Sequence, residues 1–596
     1  MVTRLRFPLA VLLWLTLSAS LSACRETGTA TYRPLATPSP SFTPTPTLRW
    51  ISPTAASAAT RPPSATAGTG GWQSPDHPAT ALPSPTLTPS PQPLLWLAPY
   101  LPDRLREAVS LLVGVKLSVR PETANLRFEA GNQEPLVQWV YALVAPFPTL
   151  QDGITSAELM NSWIGEPAGP FAGRPLLMDE NTFNVLTVWW GEPASQVVQV
   201  IPAGELLDTA WASVGIDHRR PAWAIIPFEA IEPRWKVLEL DGQSPLRKNF
   251  DLQTYVLTVP FTLTGEAALV RAVRPAWASL PSTNRDPAKL TTVIVTGVTA
   301  MVRGTAWVME KKGLLYPAQD IRDWLREADI LHISNEIPFY SDCPRPDPQY
   351  TGLMFCSDPR YMALLEDIGT DVVELTGDHF ADYGPEATLF TLDLYRQRGW
   401  PYYGGGANAE QARQPVLFEH HGNKIAFLGC NAKGGGYATA SDTVPGAWEC
   451  DFASMRQEVQ RLRSEGYLPI VTFQYQESEN LEIYRVRPEY RPDFQSMAEA
   501  GAVIVSGSQA HQPLNFEFDA GGLIHYGLGN LFFDQYHYYP TPITDRAFLD
   551  RHVFYGGRYL GVELLTIQFV DLARSRPTTP EERLDLLQSV FRGSGW

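Results

Sequence analysis

Asp329-Ile330-Leu331-His332-Ile333-Ser334-Asn335-Glu336 is an apolar run that stops at two polar side chains. A short apolar run bounded in this way reads as a buried strand, which places Asn335-Glu336 at its carboxyl end. Working outward, the pattern repeats. Asp371 to Leu375 is followed by Gly377-Asp378-His379, Leu468 to Phe473 by Gln474-Tyr475-Gln476, and Ala502 to Val505 by Ser508-Gln509-Ala510-His511. Thr292 to Thr296 and Lys424 to Gly429 are further strand candidates. Helical periodicity at Ala318 to Ala328, Ala387 to Arg398, Phe452 to Arg463 and Asp493 to Ala500 separates them. Strands alternating with helices predict a layered α/β domain over 290–596. Open α/β sheets bind ligands beyond the carboxyl ends of their strands, so the four polar groups are expected to converge on one pocket.

Upstream, Val140 to Pro146 and Ala222 to Phe228 read as buried strands. Thr155-Ser156-Ala157-Glu158 has Thr and Glu at capping-box spacing, so a helix is expected to start there and run to Trp163. Strand, loop and helix in this order predict a smaller α/β domain over 94–285.

Composition bounds the partners. The 596 residues carry 47 Lys and Arg against 63 Asp and Glu, a formal charge of -16 that repels a phosphate backbone, so nucleic acid is excluded as an expected partner. Residues 25–93 hold 15 Pro, 14 Thr and 8 Ser, a composition unable to bury a core, and are expected to form a disordered spacer. Residues 1–24 place Arg4 and Arg6 before an apolar run from Leu9 to Leu17 and end Leu21-Ser22-Ala23-Cys24, the layout of a bacterial export signal. The small residues before Cys24 resemble a lipobox, which implies lipidation of Cys24 and an extracytoplasmic protein held on the membrane by its acyl chains. Cys343, Cys356, Cys430 and Cys450 remain. An exported chain is expected to bridge them, with Cys343–Cys356 and Cys430–Cys450 as the local pairing among three connectivities.

At Ser334-Asn335-Glu336-Ile337-Pro338, Gly377-Asp378-His379-Phe380-Ala381-Asp382-Tyr383-Gly384-Pro385-Glu386, Lys424 to Gly429 and Ile524-His525-Tyr526-Gly527-Leu528-Gly529-Asn530-Leu531-Phe532-Phe533-Asp534, the chain resembles the CapA family of poly-gamma-glutamate capsule synthesis proteins. The resemblance covers roughly residues 290 to 560 and implies a fold similar to the calcineurin-like metallophosphoesterases. This chain departs from the family's polar groups at several points. Val298 follows Gly297 where an Asp would stand, Gly377-Asp378-His379 replaces Asn-Asn-His, Gln474 replaces a His, and 507–511 retains only His511 of Gly-His-His-Pro-His. Neutral Gln is a poor ligand for a divalent cation, so a dinuclear centre is not expected. Two states stay open: one divalent ion (Mn, Fe or Zn) on Glu336, His379 and His511, with Asp378 as a further ligand, or a metal-free pocket. Asn335, Asp378, Gln474, Gln509 and Asn530 are then candidate substrate contacts, and His379 and His511 candidate proton carriers. The middle region, through Ile154 to Leu159 and Val237 to Gly242, is similar to phosphate-type solute-binding proteins.

Three functions follow. The first is a lipoprotein of capsule or envelope-polymer synthesis, working on an anionic polymer or with other envelope biosynthesis proteins. The others are a divergent metal-dependent hydrolase and an anion-binding sensor. A polyanion would need local positive charge, for which Arg303, Lys433 and Arg485 to Arg491 are candidates. His420-His421 reads as a pair of solvated turn residues, and Tyr536 to Pro540 as an aromatic cluster for core packing or a loop lid, with stacking on a sugar as the alternative. Gly434-Gly435-Gly436 is not followed by Lys-Ser/Thr and is no P-loop.

Overall fold

In the strand Leu290–Thr296 every residue is buried, Val293 and Val295 toward one face and Ile294 toward the other. A strand covered on both faces needs a layer on each side, and the period of two assigns the residues to them. Leu468–Gln474 does the same, with Ile470 on one face and Val471 on the other.

These alternations belong to a computed structural model that describes residues 49–50 and 92–596, apart from 113, 215–221, 435, 437, 476–483 and 539–542. Cys24, most of the Pro/Thr/Ser-rich stretch, Gly435, Gln476, Tyr539 and Pro540 lie outside the described residues. The described residues fall in one compact unit. Among the described residues no helix is long and apolar enough to cross a membrane.

One sheet orders Tyr402–Tyr403, Val372–Glu374, Ile330–Asn335, Leu290–Thr296, Arg546–Tyr555, Arg558–Val570 and Arg574–Pro577. The first four are parallel and the last three antiparallel. The second sheet runs Arg49–Trp50, Val416–His420, Asn423–Asn431, Leu468–Gln474, Ile504–Ser506, Gly522–His525 and Phe516–Asp519, with a parallel centre from Asn423 to His525. Val293, Val295, Ile330 and Val372 of one sheet share a core with Phe427, Ile470, Ile504 and Leu523 of the other. The outer faces pack on helices: Met309, Leu364 and Leu392 on the first, Met455, Val459 and Met497 on the second. The region is a four-layer α/β fold, helices outside and two sheets within.

The expected helix at Ala318 to Ala328 is instead a 3-10 turn, Tyr316–Ala318, and a short helix, Arg322–Arg326. Ala318, Ile321 and Leu325 are buried as the apolar spacing required. Spacing of three is common to both helix types, so periodicity alone could not show the break.

The middle region has its own sheet, ordered Lys116–Ser118, Leu94–Leu97, Leu126–Ala130, Thr258–Gly265, Val137–Pro146, Trp223–Pro227, Leu176–Met178 and Val198–Val200. Thr155 caps the helix Ser156–Trp163, its side chain accepting from the Glu158 N–H while the Glu158 carboxylate accepts from the Thr155 N–H at 2.8 Å. Beyond Val137–Pro146, Phe147 leaves this sheet. Its ring lies 5.2–5.9 Å from those of Phe516, Phe518, Phe591 and Trp596.

Candidate functional site

Ile330–Asn335, Val372–Glu374, Asn423–Asn431, Leu468–Gln474 and Ile504–Ser506 each deliver polar residues from their carboxyl ends. Glycine makes the crowding possible. A Cβ on Gly377 would meet the Glu336 Cα at 2.7 Å, and one on Gly507 would overlap the Tyr526 carbonyl oxygen. The chain can thus bring Asp378 beside Glu336 and swing Ser508 to His511 inward.

Ligand atoms of Glu336, Asp378 and His379 all lie within 4.8 Å of one another. His511 Nε2 is 3.4 Å from Glu336 Oε1. Glu336 is 1% exposed, and neither carboxylate oxygen has a hydrogen-bond partner among the described residues. Burial pushes its carboxyl up, but His511, His379 and Lys433 outweigh burial and hold it below the ordinary value. His379 Nδ1 contacts Asp382 Oδ2 at 2.7 Å, an oxygen that also accepts from the Phe355 N–H at 2.8 Å. Burial lowers His379, yet the Asp382 contact and the charges of Glu336 and Asp378 leave it raised. With Nδ1 held by a carboxylate, Nε2 points inward, 3.8 Å from Asp378 Oδ2, the orientation a metal-ligating His requires.

Lys433 joins this group. Its Nζ lies 2.5 Å from Asp378 Oδ2, and its backbone N–H donates to Asn431 Oδ1 at 2.8 Å. The disulfides Cys430–Cys450 and Cys343–Cys356 both form, the first at the root of the Lys433 loop. The remaining expected contacts divide. Gln474 donates to Asp378 Oδ1 at 3.3 Å, while Gln509 turns to Ser334 Oγ at 2.9 Å. Asn335 donates to the Ile337 carbonyl at 2.6 Å. Asn530 Oδ1 holds His511 Nδ1 at 2.8 Å, so Asn530 positions His511. The side-chain oxygens Asn335 Oδ1, Gln474 Oε1 and Gln509 Oε1 are buried with no partner among the described residues.

These donors fit one divalent cation. Two carboxylates and an imidazole meet its preference for anionic and nitrogen ligands, and unpartnered buried oxygens are costly without an occupant. Val298 is a buried strand residue between Ser334 and Asn530, and the buried oxygens of Gln474 and Gln509 are neutral.

Of the other positive candidates, Arg303 is clamped between the Phe355 and Tyr538 rings, 4.3 and 4.2 Å from their centres. Arg487 and Arg491 pair with Glu489 and Glu517. His420 and His421 do occupy the turn, but they are not the solvated pair expected. His420 is buried and its Nδ1 lies 3.1 Å from Thr291 Oγ1, and His421 Nδ1 contacts the Leu290 carbonyl at 2.7 Å, because the hairpin folds over the start of Leu290–Thr296.

In the middle region the stretches Ile154 to Leu159 and Val237 to Gly242 pair with each other, Gly153–Ile154 alongside Glu239–Leu240. The Ser156 N–H at the helix start donates to Asp241 Oδ1 at 3.0 Å. A carboxylate of the chain itself thus sits where a helix N-terminus would hold an anion.

Residues 292–535 match the family model described as bacterial capsule synthesis protein PGA_cap. This region is similar to the bacterial capsule synthesis proteins that this model describes. The capsule biosynthesis protein CapA of Bacillus anthracis is 23% identical over 331 residues, 54% of this chain and 78% of that protein. The PGA biosynthesis protein CapA of Bacillus subtilis (strain 168) is 25% identical over 233 residues, 38% of this chain and 59% of that CapA, less than two thirds of its length. Among solved structures, Haemophilus influenzae NAD nucleotidase (NadN) is 12% identical, covering 50% of this chain and 62% of that one, with a TM-score of 0.28. An ABC-type phosphate transport receptor from Vibrio cholerae is 11% identical over 31% of this chain and 93% of its own, with a TM-score of 0.25. At such scores neither carries any argument about this chain. The CapA match spans the strands that deliver Asn335, Glu336, Asp378, His379, Lys433, Gln474 and His511.

Proposed function

We propose that this CapA-family capsule biosynthesis protein is an extracytoplasmic lipoprotein that holds an anionic polymer of the poly-gamma-glutamate type at the pocket beyond its strand ends. The observation that carries the reading is the grouping of Glu336, Asp378 and His379 with Lys433 beside them, inside the residues matched to the capsule-synthesis family. A net charge of -16 repels a polyanion over most of the surface, so contact must be local. Lys433 supplies a fixed positive charge there. Glu336, Asp378 and His379 would hold one divalent cation, and when bound it would supply a positive centre suited to the hard carboxylate oxygens of the polymer. Asn530 and Asp382 keep His511 and His379 oriented, with His379 Nε2 turned toward the carboxylates that would share the cation.

The full chain is expected to retain labelled poly-gamma-glutamate in Mn2+, and EDTA or Glu336→Gln is expected to weaken retention at least ~tenfold. Retention that ignores both would remove this reading. A second reading, hydrolysis with His379 or His511 moving a proton, is supported by the His379–Asp382 contact. Phosphoester turnover that chelation abolishes would select it over polymer holding.

Anchoring is proposed at Cys24, from the export-signal layout that ends there. Two or more acyl chains give stable attachment where one is marginal. Cys24→Ala is therefore expected to move the protein from the membrane fraction to the soluble one on cell fractionation. Unchanged partitioning would place the anchor elsewhere.

A further inference from the structure

We propose that Lys433 is a tethered cation competing with a divalent ion for Asp378, so that the pocket holds at most one such ion and holds it weakly. The inference rests on reading this pocket as the functional site. Asp378 Oδ2 is the oxygen that a cation shared with Glu336 and His379 would use, since it lies 3.8 Å from His379 Nε2 and belongs to the same compact donor set. The Lys433 Nζ lies 2.5 Å from that very oxygen. The Asp378 side chain is only 3% exposed and that of Lys433 22%, so water screens the contact poorly.

Lys433 is also placed with little freedom at its root. It follows the strand Asn423–Asn431, its N–H is held by Asn431 Oδ1, and Cys430 is bridged to Cys450. The chain beyond it turns through Gly434 at φ +103° and Gly436 at φ +94°, backbone that favours glycine. The strand end thus aims the lysine while the glycines carry the chain away. The other oxygen of Asp378 faces the Gln474 amide at 3.3 Å, which cannot neutralise it. The ammonium therefore meets part of the charge demand of the two carboxylates without an ion. A divalent ion entering the same set must displace that ammonium or sit beside it against like-charge repulsion.

The test is calorimetric titration of the chelator-treated full chain with Mn2+, for wild type, Lys433→Met and Lys433→Arg, with melting curves confirming that each is folded. Wild type is expected to bind no more than one ion. Lys433→Met should bind one ion at least tenfold more tightly, and Lys433→Arg, which keeps the charge, should stay near wild type. A gain below tenfold for Lys433→Met, an equal gain for Lys433→Arg, or two ions bound to wild type would overturn the proposal. Should Lys433→Met not fold, Lys433→Gln replaces it under the same thresholds. If these affinities fail while Mn2+-dependent polymer retention holds, only the role of Lys433 falls. If they hold while retention is absent, the polymer reading falls and the competition stands.

Discussion

Replacing Glu374 with alanine is expected to lower the unfolding free energy by about 2–4 kcal/mol at pH 7, the cost of leaving the buried donors around its carboxylate without their acceptor. Glu374 and His332 are fully buried, with His332 Nε2 3.2 Å from Glu374 Oε2. The carboxylate also accepts from Thr376 Oγ1 at 2.6 Å and Ser508 Oγ at 2.5 Å. His332 Nε2 lies 2.8 Å from the Tyr403 hydroxyl, which lies 3.0 Å from Thr472 Oγ1. This network ties Ile330–Asn335, Val372–Glu374 and Tyr402–Tyr403 of one sheet to Leu468–Gln474 and the 507–511 loop of the other. It therefore braces the strand ends and the loop that carry Glu336, Asp378 and His511. Burial pushes the Glu374 carboxyl up as the largest influence, but His332, Ser508 and Thr376 together hold it below the ordinary range. For an acid depressed in the folded state, the stabilisation is present above the unfolded value, about 4.3, and is lost as pH falls through the folded value. Urea unfolding of wild type and Glu374→Ala should give their widest gap near neutrality and a narrowing gap in acid. A gap under 1 kcal/mol at pH 7, or one that does not vary with pH, would mean that the pair contributes no such energy.

The pocket was legible in the sequence to the extent that strands were legible. Asn335, Glu336, Asp378, His379, Gln474 and His511 each follow an apolar run, and a position at a carboxyl end already constrains where a side chain can go. Lys433 obeys the same rule, four residues beyond the expected strand Lys424 to Gly429. From sequence it is an unplaced charge, because a lysine in a glycine-rich loop carries no directional signal. Asp382 carries no role in the sequence alone, since its contact with His379 depends on a turn that periodicity does not describe. Glu374 and His332 were hidden in apolar runs, where a polar residue is indistinguishable from one turned to solvent until both faces are known to be covered. Gln509 and Asn530 both reach the neighbourhood, where the Gln509 amide nitrogen donates to Ser334 Oγ and Asn530 Oδ1 holds His511.

Phe147→Ala is expected to cost about 3–5 kcal/mol, the range for removing a buried phenylalanine. Its ring is 2% exposed and meets four aromatic rings edge-on, an arrangement that adds to the area it buries. The position matters more than the size. Phe147 directly follows Val137–Pro146, the long central strand of the middle region, yet its ring partners come from Phe516, Phe518, Phe591 and Trp596 near the far end of the chain. Arg583 reinforces the contact, donating twice to Asp152 at 2.7 and 2.8 Å. Two regions joined by a buried side chain lose independence, because either one unfolding exposes the apolar surface of the other. Wild type should therefore unfold in one transition, seen alike by far-ultraviolet circular dichroism and by tryptophan emission, to which Trp596 and Trp211 at this junction contribute. Phe147→Ala should lower the midpoint and separate the two signals. A variant that unfolds at the wild-type midpoint would show that the aromatic cluster is contact without coupling, and the middle region would then be free to move against the pocket.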